Sequence, residues 1–519
     1  MKKIILNISA VLFFITVFIS RSIDALDTSP STSISGSGMF ANAKAAMTPL
    51  NGIYRSMYTY DWSTEFNPQQ CDGIKSYVLM GDVMGEDMVM GAQGSGWYWF
   101  DCVYNVKASY ASNGWRSYDL WNAHYSWIAN ANYIIAAEET MQGTTADINN
   151  VIGQAYAIRA YSYDMLARMF SRTYKGHESE PGLPIYTEPT IAGTEGKPRS
   201  TVEEVYTQIL KDINKAIELL KDATPQVHKT HINYAVANGL KARICLVMND
   251  WAEAAKAAEA AMSNYSIASP KDITDGMNSI GMTGVMWGAQ IIPDQADGWG
   301  TFFTHLDWTT NEDLYANRAP KRINKELYDN MGTNDARREW WSPDAKNPSS
   351  DGPTYAYIQK KFRFSDPKQW LADMIWMRIE EIYLTAAEAE CRLGNESKAI
   401  GYLKDLMAKR DEDYVCNKTG TSLGALTSDL TGSLLEEILI QRRIELWGEF
   451  GRIFDIKRLK QGFTRTEAMG FPKEALLNGT NTQNPESYAW VLTIPQSEFD
   501  GNVNMDSVTD QNPPGDEKK

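Results

Sequence analysis

Histidine and cysteine are both scarce, with five of each in 519 residues. Cys71, Cys102, Cys245, Cys391 and Cys416 show no CxxC spacing, which excludes the usual zinc cluster and dithiol redox motifs. An odd count in a chain with ample apolar content argues against a disulfide framework. Buried free thiols are expected, and Cys71 with Cys102 is the pairing left open. The GxSxG, HExxH, Walker and GxGxxG fingerprints are missing as well. Glu380/Glu381 and Glu436/Glu437 fall on helical segments, where adjacent side chains point about 100° apart and make no acid–base dyad. The acidic pairs Asp272/Asp275 and Asp294/Asp297 lack EF-hand spacing. No catalysis, cofactor or metal is therefore expected. Positive charge is also short: 50 Lys and Arg against 65 Asp and Glu give a net charge of −15. Such a surface repels phosphate backbones, so nucleic acid is not an expected partner.

Aromatics are plentiful, with 16 Trp and 26 Tyr. Large amphipathic rings fill cores, but when exposed they offer flat faces to ligands. At the N-terminus, Lys2 and Lys3 precede an apolar run from Ile4 to Ile19, closed by Arg21 and Asp24. The run is short for a membrane span, which needs about 20 apolar residues, and its flanks fit a signal peptide over residues 1–22. Residues 23–38, rich in Ser, Thr and Gly, read as a flexible tether ahead of one domain over 39–519.

Helical periodicity is clear in several places. Trp121, Tyr125, Ile128 and Ile135 share a face, and Asn149 to Phe170 reads as a further helix. Ser200 and Thr201, followed by Glu203 and Glu204, offer two overlapping capping-box registers for a helix striped by Val202, Val205, Ile209, Ile213, Ile217 and Leu220. Further helices are predicted from Tyr234 to Met248 and from Leu434 to Trp447. The stretch Ala242 to Ala254 parallels Ala387 to Ala399: helix, short polar turn, then a helix opening with small residues. Small side chains permit the close helix approach of a tetratricopeptide-type pair, and such pairs need stacked neighbours. A mainly α, tetratricopeptide-like scaffold is expected over 116–262 and 371–460. Residues 50–115 and 263–370, rich in Gly, Asp, Asn, Pro and aromatics, read as large irregular insertions, and loops this long are usually functional.

These residues carry a family resemblance. Trp121, Tyr125, Ile128, Asn130 and Asn132 resemble the "W…Y..I..AN" helix of the SusD/RagB nutrient-binding proteins. Tyr156, Arg159, Ala160 and Tyr161 resemble the following "A.a.RA..y" helix, and Pro198 to Tyr206 resembles "pR.tv.evy". Arg442, Arg443, Glu445, Leu446, Glu449, Arg452 and Asp455 are similar to "ER..EL..Eg.R..DL.R". Ile494, Pro495, Glu498, Asn502, Asn504 and Gln511 to Pro513 are similar to the closing "IP..E…N…QNP". The resemblance implies a tetratricopeptide-like scaffold with glycan-binding insertions, at the outer surface of the outer membrane. It also implies a TonB-dependent transporter of the SusC type as partner, and no catalysis. One branch of the family handles peptides in the manner of RagB, which keeps a peptide-binding scaffold as the alternative, with a glycan hydrolase behind it. Family members carry a lipobox Cys after the signal, whereas Phe18 to Ser22 has none. A thiol-linked lipid anchor is not available here. Either Arg21 or Ser22 stands in the place of that Cys, or the transporter alone holds the protein.

A sugar site needs an aromatic face for the ring's C–H groups and polar groups for its hydroxyls. Trp97 and Trp99 lie in a Gly-rich loop after Glu86 and Asp87, and in an extended loop they would share one side. They are the first candidate platform, with Asp87 as polar partner; the competing reading is a plug at the core edge. In the second insertion Trp299, Phe302, Phe303, Trp308, Trp340 and Trp341 are available, and most should be core. Trp308 is preferred because Asp307 and Asn311 flank it. Trp62, beside Asp61, is the third candidate. His124, Arg159, Arg442, Glu445 and Arg452 are read as helix-to-helix ties.

Overall fold

The computed structural model describes residues 36–59, 67–105, 110–224, 228–296, 298–310, 314–344 and 355–513. The signal segment over 1–22, the tether as far as residue 35, and the candidates Trp62 and Asn311 lie outside the described residues.

The scaffold helices form where the apolar stripes predict them, and further helices precede them. After α1 (Ala43–Ser56) and α2 (Ile74–Met84), a long hairpin of α4 (Trp115–Ala136) and α5 (Thr145–Phe170) follows a one-turn α3 (Trp99–Cys102). Helix α6 (Val202–Lys221) packs on α5. Of its two candidate caps, the chain uses Thr201 with Glu204: each side chain bonds the other's backbone N–H. Gly153 in α5 makes the α5–α6 approach possible, because a Cβ there would sit 2.8 Å from the Leu220 side chain.

The two similar stretches are two helix pairs: α7 (Tyr234–Met248) with α8 (Trp251–Ala261), and α10 (Ile379–Arg392) with α11 (Glu396–Met407). Their turns match bond for bond. Asn249 and Gly394 both take left-handed φ, at 61° and 82°. The next residues, Asp250 and Asn395, each donate at 2.9 Å to the carbonyl five residues back, Cys245 and Glu390. This is the Schellman ending, in which a left-handed residue lets the chain reverse and satisfy the last carbonyls. Helix α8 stacks on α10, and the buried faces are alanine-rich: Ala254, Ala257, Ala258 and Ala261 on one side, Ala386, Ala387 and Ala389 on the other. The mainly helical, repeat-type architecture thus rests on small residues and αL turns.

Residues 263–370 contribute little regular structure, whereas 50–115, expected to be irregular, holds the buried helix α2. Short strands β1 (Met88–Met90), β3 (Lys321–Ile323), β5 (Ile358–Gln359) and β4 (Trp341–Ser342) pair antiparallel in that order, with Met88 opposite Ile323 and Trp341 opposite Gln359. Strand β2 (Val285–Ala289) pairs antiparallel with β6 (Met374–Arg378), which runs straight into α10. The insertions are thus sewn to the scaffold through strands.

Buried ion pairs tie the helices α12 (Leu434–Glu445) and α13 (Arg452–Leu459) to the rest. Glu445 meets Arg410 at 2.9 Å, Arg378 at 3.2 Å and Arg337 at 3.4 Å, all with no exposed side-chain surface. Arg442 bonds Asp455, and Arg159 bonds Asp212 through two nitrogens. His124 is buried among Tyr77, Trp127 and Tyr161, and burial pushes its imidazole down to about 3. These side chains are scaffold, as their helical spacing predicts. All five cysteines are free, with every one but Cys416 buried, so the Cys71–Cys102 pairing is not made.

Candidate functional site

Four rings, one from the first insertion and three from the second, form one continuous row at the surface. Trp97 meets Tyr315 at 5.9 Å between ring centroids, Tyr315 meets Trp299 at 5.5 Å, and Trp299 meets Trp370 at 4.9 Å. Trp299 is 45% exposed and the other three are half-buried.

Each ring is placed by an identifiable local device. Trp97 precedes Tyr98, whose φ of 61° and ψ of 0° turn the chain sharply. The Tyr98 N–H is held by the Gln70 side-chain oxygen at 2.7 Å, and Trp99 then starts α3. Gly94 brings this loop against the strand-bearing segment: at φ +55°, its Cβ would lie 2.7 Å from Ala319 and 2.9 Å from the Arg318 carbonyl. That contact sets Trp97 beside Tyr315, the first residue of α9 (Tyr315–Arg318). Tyr315 lies face-on over buried His305 at 5.0 Å with 18° between planes, which gives the row a rigid backing. Trp299 sits between two glycines in a single 3₁₀ turn. Trp370 occupies the tip of a tight turn, with φ 59°, that the Asp366 carboxylate closes by accepting from the Lys368 and Gln369 N–H groups at 3.0 and 3.1 Å. Gln93 is exposed in the loop of Trp97, Lys368 and Gln369 are exposed in the turn of Trp370, and exposed Arg318 ends α9.

The arrangement differs from the extended-loop expectation. Trp97 does reach the surface row, but the turn at Tyr98 sends Trp99 the other way, into the core at 8% exposure. Asp87 is no ligand group: it is buried and bound by Arg443 at 2.5 Å and Arg452 at 3.1 Å. Neighbouring Glu86 shares both guanidiniums; burial would raise its carboxyl, but Arg452 and Arg443 outweigh that and hold it at about 2. Trp308 is 7% exposed, with its indole N–H donated to the Gln359 carbonyl. Asp307 is buried and accepts from the backbone N–H groups of Thr309 and Phe364, both at 2.9 Å. It shapes a loop and faces no ligand surface. Of the other second-insertion aromatics named from sequence, Phe302, Phe303, Trp340 and Trp341 are core, whereas Trp299 opens outward. Tyr315 and Trp370 were not singled out from sequence. The turn-forming Asp366-Pro367 ahead of Trp370 is the signal that could have marked it, since a ring at a turn tip has little core to enter.

Two family models match the chain: one described as "Starch-binding associating with outer membrane" over residues 80–246, and one described as "SusD family" over residues 277–515. The chain belongs to the SusD/RagB family. A SusD-like carbohydrate-binding protein from Bacteroides vulgatus superposes with a TM-score of 0.75 at 27% identity, covering 91% of this chain and 98% of that one. SusD-like protein P2 of Formosa agariphila is 25% identical over 377 residues, 66% of this chain and 72% of its own length. The surface glycan-binding protein A of Bacteroides thetaiotaomicron, solved with laminarihexaose, shares the SusD fold at a TM-score of 0.66 and 18% identity, over 91% of this chain and 99% of its own. Among the described residues of this SusD-like chain, no helix is long and apolar enough to cross a membrane.

Proposed function

We propose that this SusD-family chain binds oligosaccharides on the row Trp97–Tyr315–Trp299–Trp370 at the outer face of the outer membrane, and hands them to a SusC-type TonB-dependent transporter. The row itself carries the proposal. Four contiguous rings, one of them nearly half exposed, are costly to leave wet, and their faces suit the C–H faces of successive sugars. The described relatives that bind carbohydrate support the same class of ligand. The same reading includes export through the N-terminal signal.

The reading is non-catalytic. The carboxylate pairs available for hydrolysis are engaged in structure: Glu380 by Arg378 and Arg410, Glu381 by Arg243, and Glu437 by Lys418 and Tyr414. A retaining or inverting glycosidase needs two free carboxyls facing one bond. The test is calorimetry against a panel of neutral oligosaccharides with Trp299→Ala and Trp370→Ala. Each is expected to cost about 1–3 kcal/mol of affinity, the usual worth of an aromatic stacking face. Unchanged affinity in both variants overturns the site, and release of shortened products overturns the non-catalytic reading. Binding of peptides but of no saccharide in the panel would favour the peptide-handling alternative.

A further inference from the structure

The scaffold itself carries a second cleft, and two of the motifs noted in the sequence converge on it. Helix α4 supplies Tyr125 and Asn132, and α14 (Gln496–Gly501) supplies Ser497 and Glu498, while the 186–196 loop closes the third side with Tyr186 and Glu195. The cavity measures about 320 Å³, within the range of roughly 300–1,000 Å³ common to small-molecule sites. It is remote from the aromatic row. Arg116, at the start of α4, packs on the Tyr98 ring beside the row's backing His305. Tyr125 and Asn132 lie further down the same helix by about 14 and 24 Å at 1.5 Å per residue.

The cleft is built before any ligand arrives. The Tyr125 and Tyr186 rings stand at 81° with centroids 6.0 Å apart, and both hydroxyls are fixed. Tyr125 donates to the Pro184 carbonyl at 2.8 Å, and the Tyr186 oxygen accepts from the Lys197 N–H at 2.9 Å. The loop is pinned to the C-terminal segment by Asn502 and Asn504, which donate to the carbonyls of Lys197 at 2.8 Å and Gly196 at 2.6 Å. Glu498 is oriented by Trp121 Nε1 at 3.1 Å and Asn502 Nδ2 at 2.7 Å. A carboxylate has about four lone-pair sites, so capacity remains. Glu195 and Ser497 make no side-chain hydrogen bond or ion pair among the described residues. The charged groups in the lining are the carboxylates Glu195 and Glu498, and the nearby Lys197 ammonium lies 5.7 Å from the Tyr186 ring. Fixed aromatic faces at an angle, carboxylate, amide and hydroxyl groups that match sugar hydroxyls, and a lining without a cation to hold an anion suit a neutral polyhydroxylated ring.

We propose that this cleft is a second saccharide site, which takes one pyranose unit, a chain end or branch, of a neutral glycan. The inference rests on the glycan reading of the aromatic row, and the two are separable by experiment. Saturation-transfer NMR on the full chain, with methyl glycosides of glucose, galactose, mannose and xylose as probes, is run on the unaltered protein and on Trp299→Ala/Trp370→Ala. The expected result is transfer to at least one probe that survives in the double variant. It should fall to background when Ser497→Trp is added, because Ser497 is exposed at the cleft rim and an indole there fills the space without touching the core. Tyr186→Ala should act in the same direction. Loss of all transfer in the double variant overturns the second site and leaves the aromatic row. Transfer that persists through Ser497→Trp and Tyr186→Ala also overturns it, as does absence of transfer to every probe in the unaltered chain. The row's own failure reads differently: full oligosaccharide affinity retained in Trp299→Ala/Trp370→Ala.

Discussion

Replacing Asp87 by Ala separates scaffold from site more cleanly than any other single change. Asp87 and Glu86 face the same two guanidiniums, with Arg443 at 2.5 and 3.1 Å and Arg452 at 3.1 and 2.9 Å. Removing one partner of a buried ion pair costs about 3–5 kcal/mol, because the remaining charge stays desolvated. Here Glu86 remains against both arginines, so the low end, about 3 kcal/mol, is expected for Asp87→Ala. Asp87→Asn keeps an acceptor and should cost less. The double change Glu86→Gln/Asp87→Asn should cost more than the two single changes together, since each carboxylate covers the other's loss. Urea unfolding, with midpoint and slope followed separately, measures the stability; calorimetry on the folded variant measures glycan affinity, expected to be unchanged. The low pH behaviour follows with its sign. Glu86 titrates at about 2 in the folded chain against its ordinary 4.5. Its contribution is whole above pH 4.5 and drains away as pH falls toward 2, and the Glu86→Gln variant should lack that part of the acid transition. An unchanged unfolding midpoint combined with lost glycan affinity would refute the reasoning and return Asp87 to the ligand site.

Further outcomes are expected. Trp99→Ala and Trp308→Ala should destabilise by about 3–5 kcal/mol as large-to-small core changes, with saccharide affinity of the folded fraction unaltered, the reverse of Trp299→Ala; paired unfolding and calorimetry check this. His124 is neutral in the fold, titrating at about 3 against an ordinary 6.5. Stability should therefore fall as pH drops from 6.5 toward 3, by up to about 1.4 kcal/mol per unit, and His124→Phe should flatten that slope in melts run across the range. Gly394→Ala meets no atom within 4 Å but must hold φ at +82°, so a purely conformational loss of about 1–2 kcal/mol is expected in urea unfolding. Asn249→Gly, at the matching turn, should be neutral or slightly stabilising in the same assay. Arg159→Lys should lose the two-nitrogen grip on Asp212 and the bond to Asn132 at 2.7 Å, and lower the thermal midpoint even though charge is kept.

The helical scaffold was legible because its signals are local. The stripe from Val202 to Leu220, the Thr201 cap and the alanine-opened repeat turns depend on spacings within one or two helical turns, and periodicity encodes those directly. The ion-pair residues were legible as scaffold for the same reason, and the family motifs placed them in order. The aromatic row was not legible as a row. Its members are Trp97, Trp299, Tyr315 and Trp370, spread over more than 270 positions and joined only when Gly94 brings one loop against another. Whether a tryptophan is platform or plug depends on a single backbone turn. At Tyr98 a left-handed φ sends Trp97 outward and Trp99 inward, where alternation in an extended strand would have kept them together. The same holds for Asp87, whose partners Arg443 and Arg452 come from the far end of the chain. Sequence by itself determined the helices, the family and the absence of catalytic motifs, since each is written in short-range patterns. Tertiary structure alone decided which rings stay in water, because exposure is fixed by what packs against a side chain from elsewhere in the chain.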